Sequence, residues 1–384
     1  GAVVITNSYY KTGKLKEQTD ALGNKTAYFY DNLGRVIQVD YCAGKAEAKS
    51  EKFEYDFAGN KTKVTNGRGV ITNFTYNALG WLTEETLVDA DDGDRVTKYA
   101  YDADGNQVKL TKPNSRLFWN EYDEQGRVVR SQEDALNPVV SVYNADGFVG
   151  QKRDMHGTDW LYVYKANGLL EEVKAGTAYT LTYGYDAAGN VLTAVDNDNS
   201  VTYAVNAHNE VTGVTRVVDR VLTSGGRSYS TGYGYNAKGQ LESVTLPGGT
   251  RTLHYSYQAN GLLENVTGFT SSIGYDANLR LAGVTGGNGV RTGYGYDGLG
   301  RLSTLGVGKA GEAALFEMGF EYDKADNINR ITEGTRAHTF GYDAKNQLTD
   351  SLLAGAGLAE EPSAGAAGLV RDDFTGSAVL DFEV

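Results

Sequence analysis

One cysteine in 384 residues, Cys42, leaves no internal disulfide to form, so stability has to come from backbone pairing and side-chain packing. Prolines number only 4, and no Pro-, Ser- or Gly-rich linker interrupts residues 1–350. No apolar run is long enough to span a membrane. No run of five or more Lys and Arg exists, and the net charge is −13; both disfavour nucleic acid, whose phosphates need a basic surface. The acidity reads as solubility of a large surface. The four histidines, His156, His208, His254 and His338, form no metal-type pair, and there is no cysteine cluster. They read as turn or strand surface residues. No serine sits in G-x-S-x-G. No signal peptide is visible, and a chain that starts at Gly1 is consistent with an upstream segment removed or left out.

What the chain has in excess is tyrosine (27) and glycine (49), and one short pattern accounts for both. Tyr30-Asp31-Asn32-Leu33-Gly34-Arg35 returns, varied, as Tyr55–Asn60, Tyr101–Asn106, Tyr122–Arg127 and Tyr296–Arg301. Aligned on the tyrosine there are sixteen units, anchored at Tyr9, Tyr30, Tyr55, Tyr76, Tyr101, Tyr122, Tyr143, Tyr164, Tyr185, Val205, Tyr235, Tyr257, Tyr275, Tyr296, Tyr322 and Tyr342. Seven of the fifteen spacings are 21 residues. Repeats of this length build arrays whose units bury no core alone.

The pattern reads as a hairpin closure. Asp or Asn follows the anchor in thirteen of sixteen units, where its side chain can accept from the backbone two residues on. Glycine stands four residues after the anchor in twelve units, and Asn209, Asp326 and Asn346 replace it in three; all three tolerate the left-handed region. This is a type I turn with a bulge glycine. Leu279 is the exception, and the neighbouring Asn278 is expected to take the strained conformation. The residue two before the anchor is aromatic in twelve units, and the residue two after the glycine position is apolar in all but two. Period two predicts strands with aromatics on one face, each cross-strand pair contributing roughly 0.2–1 kcal/mol. A second turn signal lies midway, as in Asp20–Asn24 and Asp154–Gly157, giving two strands and two turns per unit.

Three stretches invite other chemistry. Gly306-Val307-Gly308-Lys309-Ala310-Gly311 faintly resembles a phosphate loop, but the order is wrong and no helix follows; it reads as a flexible rim loop. Asp89–Asp94 and Asp196–Asn199 carry oxygens suited to calcium without the EF-hand spacing, and read as solvated acidic turns. Trp81, Trp119 and Trp160 are isolated, a poor match to sugar-binding hairpin repeats. No catalytic, cofactor-binding or metal-ligating residue is assigned.

With that signature the chain resembles the YD repeat of the Rhs proteins, of the B and C components of insecticidal ABC toxin complexes, and of teneurins. The likeness covers residues 9–350 and is carried best by Tyr30–Arg35, Tyr122–Arg127 and Tyr296–Arg301. It implies a spiral β-sheet closing into a hollow shell that sequesters a cargo polypeptide, or serves as an adhesive or scaffolding module. The Asp-Pro-x-Gly elements of the self-cleaving segment in some members have no match here, so no protease residues carry over.

The expected fold is all-β: tandem hairpins in a curled, spiral antiparallel sheet over 1–350. An Ala/Gly-rich linker follows over 351–370, and 371–384 reads as the start of a further β-rich module. About thirty-two strands at ~4.8 Å, closed once, would make a tube roughly 50 Å across, too wide for side chains to fill. The rival is an eight-bladed propeller, which predicts a period near 42 that is not seen. The expected function is a non-enzymatic shell or scaffold module of a larger secreted or cell-surface bacterial protein. Its expected partners are polypeptide cargo or neighbouring copies of itself, with no cofactor. The alternative is a carbohydrate-binding adhesin that uses rim loops and exposed aromatics on cell-surface glycans.

Overall fold

The computed structural model describes residues 5–90, 93–218 and 226–354. Every regular element in them is a strand, from β1 (Thr6–Tyr9) to β32 (Leu348–Ala354), and successive strands pair antiparallel with one exception. Twenty-four strands form one continuous meander and eight form a second. The ladder breaks once, between β24 (Leu263–Val266) and β25 (Thr270–Tyr275). An uninterrupted 24-strand ladder rules out a propeller, whose blades separate after four strands. The last strand carries the array to Ala354; the rest of 351–384, with the linker and further module expected there, lies outside the described residues.

Each hairpin closes as the pattern requires. In the second unit Phe29 pairs with Gln38 but Tyr30 with Val36, so one extra residue sits opposite the anchor. Gly34 takes φ 81° and donates its N–H to Asp31 O at 2.9 Å. All sixteen residues at this position have positive φ, the twelve glycines together with Asn209, Leu279, Asp326 and Asn346. The expectation that Asn278 would take the strained conformation is therefore corrected: Leu279 itself stands at φ 62°. The cause is the ladder. Tyr275 pairs with Leu281 and Leu279 N–H bonds Asp276 O at 3.0 Å, so the bulge position is set by register and not by side-chain preference. Leucine there costs about 1–2 kcal/mol relative to a right-handed residue.

Two more expectations change. Gly306–Lys309 is no rim loop; it is the end of an eight-residue strand, Leu302–Lys309, paired along its length on one side and through Val307 on the other. Asp89 is no solvated turn residue; it is 4% exposed and ion-paired to Lys345 at 3.2 Å.

The wall has almost no interior. Val39, Cys42, Val173 and Ile273 are the buried apolar residues among those described, and no large side chain is fully buried. Each sheet is one strand layer thick with two partly exposed faces, held by its own ladder and by locks between successive units.

Candidate functional surface: the locks, the seam and the rims

The anchor hydroxyl is the first lock. In twelve units it donates to the backbone carbonyl at the start of the previous unit's return strand, at 2.6–3.0 Å; Tyr55 bonds Val36 O, Tyr143 bonds Val128 O and Tyr342 bonds Ile328 O. The second lock is the residue that closes the motif. Arg35 bonds its own Asp31 through Nε (2.7 Å), reaches the next turn at Asp56 O (2.7 Å), and lies over the Tyr55 ring at 4.8 Å. Arg127, Arg280 and Arg301 cover Tyr143, Tyr296 and Tyr322 at 4.3–4.4 Å. Where the arginine is missing an aromatic can take its place, Trp81 over Tyr101 and Phe148 over Tyr164. The anchors thus alternate with cations or rings from the preceding unit, which explains why the motif ends in Arg in its best copies.

The carboxylates serve the same turns. The Arg127 guanidinium holds the Asp123 carboxyl below its usual range, the Asn106 amide does so for Asp102, and the Arg35 backbone N–H for Asp31. Each is a turn cap with its acceptor oxygens in use.

A third set of contacts joins residues some 250–280 positions apart. Asn278 Nδ2 donates to Asp20 Oδ2 at 2.8 Å. Gly298 N–H donates to Glu47 Oε1 at 2.9 Å. Lys49 meets Asp326 at 2.5 Å. Arg68 donates to Asp343 O (2.9 Å) and Tyr342 O (2.8 Å), beside Asp323. Lys345 and Asp89 close the series, their side chains 4% and 3% exposed. The order is regular: the tyrosine-side turns of units thirteen to sixteen lie against the midway turns of units one to four. The ribbon therefore passes over its own start after twelve units, or twenty-four strands. Closure of all thirty-two strands in one ring is excluded, because β25–β32 form a second layer along the axis. Twenty-four strands at ~4.8 Å give a circumference of ~115 Å and a diameter of about 40 Å.

Two rims remain. Tyrosine-side tips of the second layer that rest on the first are partly shielded, such as Gly298 and Leu299, whereas tyrosine-side tips of the first layer stand open. Leu33 is 73% exposed, Phe57 107% and Leu79 69%.

The sequence-level candidates take structural places. Trp160 donates Nε1 to Asp154 Oδ2 at 2.9 Å and meets Tyr179 edge-on; Trp119 lies under Arg130. His156 and His208 are on exposed turns, His254 is exposed on a strand and His338 packs on Phe340. Among the described residues no group of three or more His, Cys, Asp or Glu could hold a metal ion, and no helix is long and apolar enough to cross a membrane. The Arg68 and Lys345 contacts had no local signal in the sequence.

Comparison with known proteins agrees with this architecture. Residues 275–310 match the RHS repeat family model. Over 260 residues the chain is 25% identical to toxin subunit YenC1 of Yersinia entomophaga, covering 61% of this chain and 26% of that protein. It is 30% identical to mouse teneurin-1 over 168 residues, 43% of this chain and 6% of teneurin-1. Among solved structures, a chain of the Photorhabdus luminescens Tc holotoxin pore superposes with TM-score 0.69 at 15% identity, over 90% of this chain and 23% of that one. The chain thus spans about a quarter or less of these proteins. The teneurin YD-shell family model matches residues 1–207, more than half of the sequence, and with sixteen hairpin units, twelve of them tyrosine-locked, wound past one full turn, the chain belongs to the teneurin YD-shell family.

Proposed function

We propose that this chain is a non-enzymatic wall segment of a larger secreted or cell-surface bacterial protein, and that its wall encloses polypeptide cargo. The observation that carries this is the return of the ribbon over its start after twelve units, with no interior packed within the sheet itself. A ring about 40 Å across loses ~5 Å of radius to side chains, half the ~10 Å spacing of stacked sheets, and keeps a bore of about 30 Å. A folded domain of ~100 residues is about 34 Å across, whereas a helix needs ~10–12 Å. The bore therefore suits extended or helical chain and excludes folded domains of about 100 residues or more.

The test is fluorescence anisotropy with one labelled polypeptide in two forms, reduced and carboxymethylated, or native. Binding of the unfolded form alone is the expected result. Binding of neither form, or of both equally, would count against an enclosing role. The glycan-binding alternative gains nothing from Trp119 and Trp160, whose rings serve the wall.

A further inference from the structure

The wall has two unlike faces. The residue two before each anchor and its partner on the return strand share the anchor's face, as in Tyr203 with Val214, Tyr233 with Val244 and Tyr255 with Val266. From Tyr162 in unit eight to Ile331 in unit fifteen every such pair is aromatic or aliphatic, and none carries a charge. The belt they form is interrupted in units six and seven, where Asn120 meets Ser131 and Ser141 meets Lys152. One residue along, the opposite face carries Ala204, Gly234, Ser256 and Gly295.

Burial tells which face turns inward. In a ring about 40 Å across, side chains that reach ~5 Å toward the axis have about a quarter less arc each, and those that point outward about a quarter more. Crowding therefore marks the concave face. Val39, Val173 and Ile273, the buried apolar side chains of the strands, all occupy belt positions. Phe29, Val142 and Leu161 lie on the other face and are 38%, 54% and 48% exposed. The belt faces the axis. Its chemistry is also distinct from that of the locks. The anchor hydroxyls are spent on carbonyls of the preceding unit, whereas those of the belt's six tyrosines bond no protein group among the described residues. Each such tyrosine offers an apolar ring and a hydroxyl together. An unfolded chain presents the matching pair, apolar side chains and unpaired backbone N–H and C=O groups.

We infer that this uncharged aromatic belt is the surface that contacts enclosed cargo, and that it takes extended polypeptide through its apolar side chains. The inference rests on the enclosing role proposed above, to which it adds the residues in contact and the side chains they select. With no charge in the belt, selection is by apolar content and not by the sign of the cargo.

Fluorescence anisotropy of the 384-residue polypeptide with two labelled, uncharged Gly/Ser peptides, one carrying several phenylalanines and one carrying none, tests it. Expected is binding of the phenylalanine peptide alone. The double variant Tyr203→Ser, Tyr255→Ser should weaken that binding more than about tenfold. Thr202→Gln with Ser256→Gln, one residue away on the other face, should leave it unchanged. Photo-cross-linking needs no variant: a benzophenone in place of one phenylalanine should attach to belt residues between Tyr162 and Ile331 of the parent chain. Equal binding of both peptides, no effect of the tyrosine pair, or cross-links confined to the other face or the turn tips would each overturn the inference. If the phenylalanine peptide fails to bind while the reduced, carboxymethylated polypeptide binds, the belt is wrong and the enclosing role stands; if neither binds, both fall.

Discussion

Two glycines in open surroundings should respond oppositely to the same substitution. Gly126 has φ 73°, and a Cβ built on it would find only Asn106 Oδ1, at 3.6 Å, an ordinary contact. Gly306 has nothing within 4 Å and lies in a paired strand away from the left-handed region. Crowding is therefore absent at both, and backbone conformation decides. A β-branched residue forced to positive φ costs about 1–3 kcal/mol, so Gly126→Val should destabilise by ~2 kcal/mol. Gly306→Val removes a flexible residue from a strand interior and adds a good strand former, so it should be neutral or stabilising by up to ~0.5 kcal/mol. With a melting entropy of ~2.1 cal/mol/K per residue, an array of about 350 residues that melts together would lose roughly 3 °C for Gly126→Val. Gly126→Asn, mimicking Asn209 and Asn346, should cost well under half as much. Thermal melts followed by circular dichroism, with hydrogen exchange to localise the change, read all three. Equal losses at Gly126 and Gly306, or a Val variant at 126 no worse than Asn, would refute the assignment of the bulge.

Three further outcomes follow from the locks. Arg68→Ala strips the carbonyls of Tyr342 and Asp343 of a charged donor, which is worth about 1.5–3 kcal/mol. Hydrogen exchange should rise across β25–β32 and stay unchanged in the strands between Tyr122 and Tyr185; a uniform rise would mean that the seam does not exist. Tyr143→Phe deletes the bond to Val128 O and should cost ~1 kcal/mol, with urea unfolding as the measure and no loss as the contrary result. Asp31, Asp102 and Asp123 titrate below their ordinary 3.8 when folded. Their contribution is therefore complete above that value and is lost as pH falls through the lower folded values. Urea midpoints should hold from pH 5 to 8 and drop below pH ~4, least in hairpins capped by Asn77 and Asn144, which do not titrate. A midpoint that stays flat to pH 2 would contradict the capping role.

The hairpin was legible because its physics is local. An Asx cap, a bulge residue and two strands of period two all fall within about ten residues, so Tyr30–Arg35 carries its own structure. Leu279 shows where that legibility ends. Its φ is imposed by ladder register, and the side chain best suited to strain, Asn278, is instead used for a bond to Asp20. Gly306–Lys309 misled for the converse reason: glycine-rich composition suggests a loop, but pairing of the whole stretch on one side, and of Gly306 and Val307 on both, keeps the strand extended. The seam was invisible. Whether Asp89 is solvated or buried against Lys345 depends on how many units complete a turn, a quantity set by strand twist and stagger summed over twenty-four strands. No single unit records it. The tyrosine hydroxyls lie between these cases: their spacing was plain, but their carbonyl partners belong to the unit before.

That count of twelve units per turn is the central claim, and the native Cys42 offers a direct test. A Cβ placed on Gly298 would stand 3.0 Å from Cys42 Sγ, close to the ~3 Å that separates those atoms across a disulfide. The Glu47 carboxylate, the end of a flexible side chain, would have to swing aside. Gly298→Cys, oxidised and digested without reductant, should yield a peptide pair joined between positions 42 and 298 within one chain. Free thiols at both positions, or links only between chains, would show that unit fourteen does not sit on the second midway turn, and the spiral described above would be wrong.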